Sequence, residues 1–491
     1  MTNMEDTTSE IKQKTISGFF WRLAERICAQ IVTFVVTVVL ARILVPEDYG
    51  TIALVNVFIA IIDSLITGGL SNSLIQKKNA DRLDFSSMFY FSILIAFLLY
   101  IILFMFAPLI AKLYKNNDVT LIFRVMGIKF FITAINSVQQ AYVSRKMIFK
   151  KFFFATIIGT IISAIVGIVM AIKGFGVWAL VAQILVNPAI DTIVLFITVE
   201  WCPKLEFSFQ RVKTLFSYGW KLASASLLGA FFDKLRQLVL GVKYSASDLA
   251  FYNRGDALPV LITSNITTTL ESVLFPALST FQNDKAKLKN AVRHSIKLGS
   301  YVLSPFLIGL AVVADKVIFL LYGEKWRKSI QFVSILCLSN ITSIISSINM
   351  QAIKASGRSD IVLILELIKK PLFLVTVIIS MFISPIAMAW GAVIYGFAAC
   401  LINYFPNRKL LGYTFWEQIS DLFSNVLLAS LMAIPVYFVG IIKLNIFFVL
   451  SLQILCGVAV YILLSVIFKV QSFYEVKKMI KEKIKGNKNE N

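Results

Sequence analysis

Apolar runs of membrane length, separated by short polar stretches, fill most of the chain. A helix needs roughly 20 apolar residues to span a bilayer core, and runs of that size predict fourteen helices here. They cover 17–41, 50–75, 85–110, 119–141, 152–172, 176–198, 218–242, 248–276, 297–322, 329–353, 361–383, 386–405, 420–441 and 444–468. The two longest connections, 199–217 and 277–296, are basic and too small for a folded domain. Residues 1–16 are polar and acidic, and no small-residue cleavage site follows a short apolar core. The first run is therefore expected to stay as a membrane span.

That first run contradicts its own apolarity. From Ser17 to Gly50 it reads SGFFWRLAERICAQIVTFVVTVVLARILVPEDYG, yet Arg22, Arg26, Gln30, Thr33 and Thr37 recur at helical spacing, with Glu25 beside them. A charge near the hydrocarbon core costs about 3 kcal/mol even on the lenient insertion scale, so such groups face a bundle interior or a watery cavity. The plainer reading is that Arg22 and Arg26 snorkel to the headgroups. Continuation of the stripe inward through Thr37 favours a cavity wall.

Other spans carry similar stripes. The second has Asn56, Asp63 and Thr67; the fourth has Lys129, Thr133, Asn136 and Gln140; the sixth has Gln183, Asn187 and Asp191. In the seventh stand Ser226, Asp233, Arg236 and Gln237, and in the eighth Asn253, Asp256, Ser264, Thr267 and Glu271, with Arg254 alongside. The eleventh holds Glu366, Lys369 and Lys370. Ion pairs such as Arg22 with Glu25, Arg236 with Asp233 and Lys370 with Glu366 would account for part of this charge, because buried charges are usually paired. The surplus of cations points to an anionic ligand, and the planar arginine fork suits phosphate.

A weak repeat recurs at a separation of about 200 residues. Trp21-Arg22-Leu23-Ala24 is echoed by Trp220-Lys221-Leu222-Ala223, and Gln140-Ala141 by Gln351-Ala352. The order of these echoes predicts an N-lobe over 17–198, a linker over 199–217 and a C-lobe over 218–405. Two further helices over 406–469 and a basic tail over 470–491 follow, and a short segment, 1–16, precedes. Six-helix lobes in parallel order with a site at their interface are a transporter arrangement.

Composition narrows the class. With 58% hydrophobic and 15% charged residues, this chain of 491 residues is an all-α polytopic membrane protein. Its net charge of +21 lies between the spans, not in one patch with interleaved aromatics, so nucleic acid is not the expected partner. With the N-terminus in the cytoplasm, Lys77, Lys78, Arg145, Lys146, Lys204, Arg211, Lys285, Lys287 and the tail lysines fall inside. Outside remain isolated cations such as Lys115 and a small group at Lys325, Arg327 and Lys328. Both termini are then cytoplasmic. The five cysteines show no CxxC or Cys/His spacing, so neither a disulfide framework nor a metal site is expected. His294, the only histidine, reads as a solvated bystander. There is no GxxxxGK[ST], HExxH or GxSxG pattern, hence no expected catalytic set or cofactor, and transport without ATP hydrolysis by this chain.

Several motifs resemble a known family. Ser17-Gly18 with Trp21 and Glu25, LARILVPEDYG (40–50), Gly69 with SNSLIQ (71–76), FYNRGDALP (251–259), VLFPALS (273–279) and YGEKW (322–326) are similar to bacterial oligosaccharide flippases. These form the lipopolysaccharide and exopolysaccharide branch, colanic-acid-exporter-like, of the MATE-like exporter superfamily. The resemblance extends to about residue 470 and implies fourteen helices in two lobes. It also implies translocation of an undecaprenyl-diphosphate-linked oligosaccharide across the bacterial cytoplasmic membrane. The family's basic central cavity falls on Arg22, Arg26 and Arg254, with Lys129, Arg236 and Lys369 as secondary candidates. Glu25, Asp63, Asp191 and Asp233 are candidate coupling or structural carboxylates. At 63–76 the chain departs from the family, since Leu65-Ile66-Thr67 interrupts a tighter Asp-x-Gly pattern. The implied partners are the lipid-linked oligosaccharide, membrane lipids, and polysaccharide polymerase and assembly proteins.

Two alternatives make different demands. A cation-coupled multidrug exporter of the same superfamily would want buried carboxylates, whereas Lys and Arg dominate here. A membrane polymerase or ligase would want a substantial extracytoplasmic loop, and the connections are too short to supply one.

Overall fold

A computed structural model describes the backbone of residues 2–114, 116–282 and 284–489. The side chains of 2–16, 19, 70, 479, 480 and 483–489 lie outside the description, as does residue 115 altogether. Lys115 and the tail lysines Lys483, Lys485 and Lys488, used above for topology, are therefore not described further.

Every regular element among the described residues is helical. In the first half these are α1 (Thr2–Ile43), α2 (Pro46–Leu65), a π-helical turn (Ile66–Ser71), α3 (Asn72–Gln76), α4 (Arg82–Leu113), α5 (Asp118–Met126), α6 (Lys129–Lys146), α7 (Phe149–Ile172), α8 (Val177–Thr198) and α9 (Phe209–Lys243). Then come α10 (Ala246–Ser279), α11 (Lys285–Leu321), a 3-10 turn (Glu324–Trp326), α12 (Ser329–Ile341), α13 (Ser343–Ala355), α14 (Ser359–Met381), α15 (Pro385–Leu411), α16 (Phe415–Val439), α17 (Ile446–Ile467) and α18 (Gln471–Asn489).

Among the described residues, 11 helical stretches are long and apolar enough to cross a membrane. The expected spans at 119–141, 218–242 and 361–383 are helical as well, but they fall outside those 11. The first is broken at Gly127 and Ile128 into the short α5 and an α6 that carries Lys129, Arg145 and Lys146. The other two are charged, with Asp233, Lys234 and Arg236 on α9 and Glu366, Lys369 and Lys370 on α14. Helices satisfy their own backbone, which is what hydrocarbon demands. Large apolar side chains such as Leu94, Phe97, Leu98, Ile101 and Met105 on α4 stand exposed, as expected of a lipid-facing surface. The protein is thus an all-α, multi-pass membrane protein.

Contacts divide the chain into two compact units, Met1–Ala250 and Phe251–Asn491. In the first, α1 packs on α7, α7 on α8, and α9 on α2 and the π turn. Glycines let the π turn close on α9 and let α2 close on the start of α10. A Cβ on Gly69 would stand 2.3 Å from the Gly219 carbonyl oxygen, and one on Gly50 would stand 1.9 Å from that of Ala246. In the second unit α11 packs on α12 and α16, α14 on α15, and α16 on α17.

Polar caps fix one end of each unit. Asp81 and Asp84 form a capping box at the start of α4, and the buried Asp84 carboxylate also takes Lys77 at 2.6 Å and Arg211 of α9 at 3.6 Å. The hydrogen bond that Asp81 accepts from the Asp84 amide, reinforced by Arg211, holds the Asp81 carboxyl below the usual carboxylate range. In the second unit Thr414 and Glu417 form the capping box of α16. Lys289 of α11 meets Glu417 at 3.1 Å, and Arg293 and Lys297 both reach Asp421, at 2.7 and 3.3 Å. His294, expected as a bystander, instead lies 3.5 Å from Glu475 of α18.

Candidate functional site

The polar stripe of α1 is the natural starting point. Arg22 lies flat against two rings of α7, its guanidinium carbon 4.0 Å from the Phe152 centroid and 5.3 Å from that of Phe149. Its Nη1 donates to Glu25 Oε2 at 2.8 Å, and Glu25 also accepts from the Thr156 hydroxyl at 3.1 Å. Aromatic faces and one carboxylate orient this cation while its side chain stays 43% exposed. Arg26, one turn further along, is exposed and makes no ion pair or hydrogen bond with described side chains. Glu25 therefore balances Arg22 alone, and the described part of the stripe keeps a net positive charge.

Behind α1 the polar seam continues through α7, α8 and α6. Asn187 reaches Ser163 at 3.3 Å and Thr160 at 3.4 Å. Asp191, which is 9% exposed, accepts from Asn136 Nδ2 at 2.9 Å, and the same amide meets Thr192. The other Asp191 oxygen is buried with no hydrogen-bond partner. Gln140 donates to Asn136 Oδ1 at 2.5 Å. Gly159 lets α7 approach α8 here, because a Cβ there would sit 2.8 Å from the Asn187 carbonyl oxygen. Asp191 lies within electrostatic reach of Glu25 and Arg22, so three of the sequence candidates fall in one region of the first unit.

The remaining candidates are placed differently. Lys129 binds Asp63 at 2.6 Å, both half-buried, across the α2–α6 contact just before the π turn. Arg236 is half-buried on α9, and Asp233 is exposed there without an ion pair among the described residues. In the second unit Lys369 is 8% exposed and meets Glu366 at 2.5 Å, so the partner of Glu366 is Lys369 where Lys370 was expected. Arg254, eight residues into α10, stands over the Tyr322 and Trp326 rings at 5.4 Å each. A second polar seam follows there: Ser347 donates to Glu271, Asn403 to Ser346 at 2.6 Å, and Asn349 to Gln418 at 2.8 Å.

One cation escaped the candidate set. Lys221 on α9 is exposed and lacks an ion pair among the described residues. The signal was present, because the repeat aligns Trp220-Lys221 with Trp21-Arg22.

The chain thus combines membrane helices in two units with a cationic stripe within a span and buried polar seams. The family described as "Polysaccharide biosynthesis protein" matches residues 39–331. The lipopolysaccharide biosynthesis protein WzxC of Escherichia coli strain K12 is 24% identical over 442 residues, covering 88% of this chain and 89% of its own. Among solved structures, the inward closed conformation of the lipid II flippase MurJ superposes with a TM-score of 0.74 at 16% identity. That match covers 92% of this chain and 98% of that one. An inward-facing multidrug resistance MATE family transporter superposes at 0.61 and 15% identity, covering 78% and 94%. The chain belongs to the polysaccharide biosynthesis protein family, and its fold is that of the MurJ and MATE transporter structures.

Proposed function

We propose that this protein flips an undecaprenyl-diphosphate-linked oligosaccharide from the inner to the outer leaflet of a bacterial cytoplasmic membrane. The observation that carries the reading is the α1 stripe, where Arg22 is oriented by rings and Arg26, among the described residues, has no counter-charge inside a membrane helix. A cation held there without an anion is costly, and a bound diphosphate would supply the missing charge. Charge-assisted hydrogen bonds to phosphate are about twice as strong as neutral ones. Arg254 on α10 is a further substrate-binding candidate; Lys129, neutralised by Asp63, would hold α6 to α2, and Lys369 is neutralised by Glu366 on its own helix.

Transport would proceed by alternating access of two lobes spanning fourteen helices with both termini cytoplasmic, as the sequence repeat and loop charges suggest. Asp191 is the best coupling carboxylate, since one oxygen is buried without a hydrogen-bond partner; that observation also supports the second reading, a cation-coupled drug exporter. Deleting the gene from its host and measuring surface polysaccharide beside drug sensitivity separates the two. Loss of surface polysaccharide at unchanged drug sensitivity is expected. Drug hypersensitivity with normal polysaccharide would overturn the proposal.

A further inference from the structure

The second unit carries a cavity of about 650 Å³ whose walls have two characters. At its mouth stand Arg293 and Lys297 of α11, and along α16 run Phe423, Leu427 and Leu431, joined by Phe468 where α17 turns into α18. The charge at the mouth does not cancel. Both cations lean on one carboxylate, Asp421, which is 4% exposed, while their own side chains remain 38% and 36% exposed. Arg293 gives Nε and Nη2 to Asp421, which leaves Nη1 turned away from that pair, and Lys297 gives one contact of its three donors.

The apolar part has a definite geometry. Positions 423, 427 and 431 follow the four-residue ridge of a helix, and eight residues rise about 12 Å. All three side chains are exposed, at 58%, 46% and 36%, as is Phe468 at 60%. Asp421 takes only part of the donors of the two cations, and the ridge side chains stand exposed. The cationic mouth wants a phosphate, and the ridge wants a hydrocarbon chain.

We infer that this slot is a binding site for an anionic phospholipid of the surrounding bilayer, its phosphate held by Arg293 and Lys297 and one acyl chain laid along the α16 ridge. Val470, Gln471 and Ser472 at the start of α18 close the slot, so a bound lipid braces the helix that follows. The site lies within the second unit and stands whether or not the transported molecule is the one proposed above.

Native mass spectrometry of the purified, delipidated full-length protein tests this, with phosphatidylglycerol and phosphatidylcholine of equal tails, followed by thermal melts. Lys297→Gln removes a phosphate contact and leaves Arg293 on Asp421. Ser424→Trp fills the slot at an exposed position of α16 and touches no ion pair. Phosphatidylglycerol should be retained about tenfold more tightly than phosphatidylcholine and should raise the melting temperature. Lys297→Gln should lose most of that preference, and Ser424→Trp should lose retention of both lipids at the site. Inorganic phosphate at the same concentration should leave the melting temperature unchanged. Equal retention of the two lipids, or unaltered retention in Ser424→Trp, would refute the site. A phosphate-induced shift as large as the lipid's would refute the lipid assignment.

Discussion

Arg26 and Lys129 separate the roles that cations within spans can play. Lys129 faces Asp63 at 2.6 Å, and Lys129→Ala would leave a half-buried carboxylate alone, a loss of about 1–3 kcal/mol. Reduced membrane-resident protein is the expected readout there, with transport per molecule largely kept. Arg26 has no such partner among the described residues, so Arg26→Ala should leave protein levels near normal and reduce polysaccharide export about tenfold or more. Arg26→Lys should rescue part of it, since lysine keeps the charge and loses the fork. Normal export by Arg26→Ala at normal protein levels would exclude Arg26 from substrate binding. The sequence made the cationic stripe of α1 readable, because a period of 3.6 in charge survives inside an apolar run. It could not say which cations were neutralised, because Lys129 and Asp63 are 66 residues apart and meet only through helix packing. The Asp421 cluster was equally hidden, its partners lying on α11 and α16, 128 residues apart.

The existence and centres of the helices were legible, since apolar runs mark spans directly. Helix starts were not legible where polar turns extend a helix beyond its apolar run, as at Phe209 of α9 and Lys285 of α11. Breaks inside runs were hidden too. The fourth run parts at Gly127 and Ile128 into α5 and α6, and the second winds into a π turn at Ile66–Ser71. That turn begins within the Leu65-Ile66-Thr67 segment that interrupts the family pattern. π turns occur mostly at functional positions, and this one lies against α9 through Gly68 and Gly69. Gly69→Val would drive a side chain into the Gly219 carbonyl and the Ala223 methyl, 2.3 and 2.7 Å from the new Cβ. Overpacking of this kind costs about 1–3 kcal/mol, so the variant should melt lower in detergent and export less than Gly69→Ala. A Gly69→Val protein as stable and active as wild type would show that α9 does not need this close approach.

At the scale of the whole molecule, the balance of basic loops carries the topology. On a cysteine-free background, Asn116→Cys should react with an impermeant thiol reagent in intact cells, and Lys287→Cys should react only after the membrane is opened. Labelling of both from outside would break the loop assignment behind the fourteen-span reading. The claim at the centre of the account is that this fold moves a diphosphate-linked oligosaccharide between leaflets. Its most direct test is reconstitution of the purified protein in vesicles bearing the lipid-linked oligosaccharide, with a sugar-modifying enzyme added outside to report outer-leaflet exposure. Wild-type protein should expose inner-leaflet substrate much faster than empty vesicles, and a variant combining Arg22→Ala with Arg26→Ala should approach the empty-vesicle rate. Equal rates for wild type and empty vesicles under every imposed ion gradient, or full activity in the double variant, would contradict it.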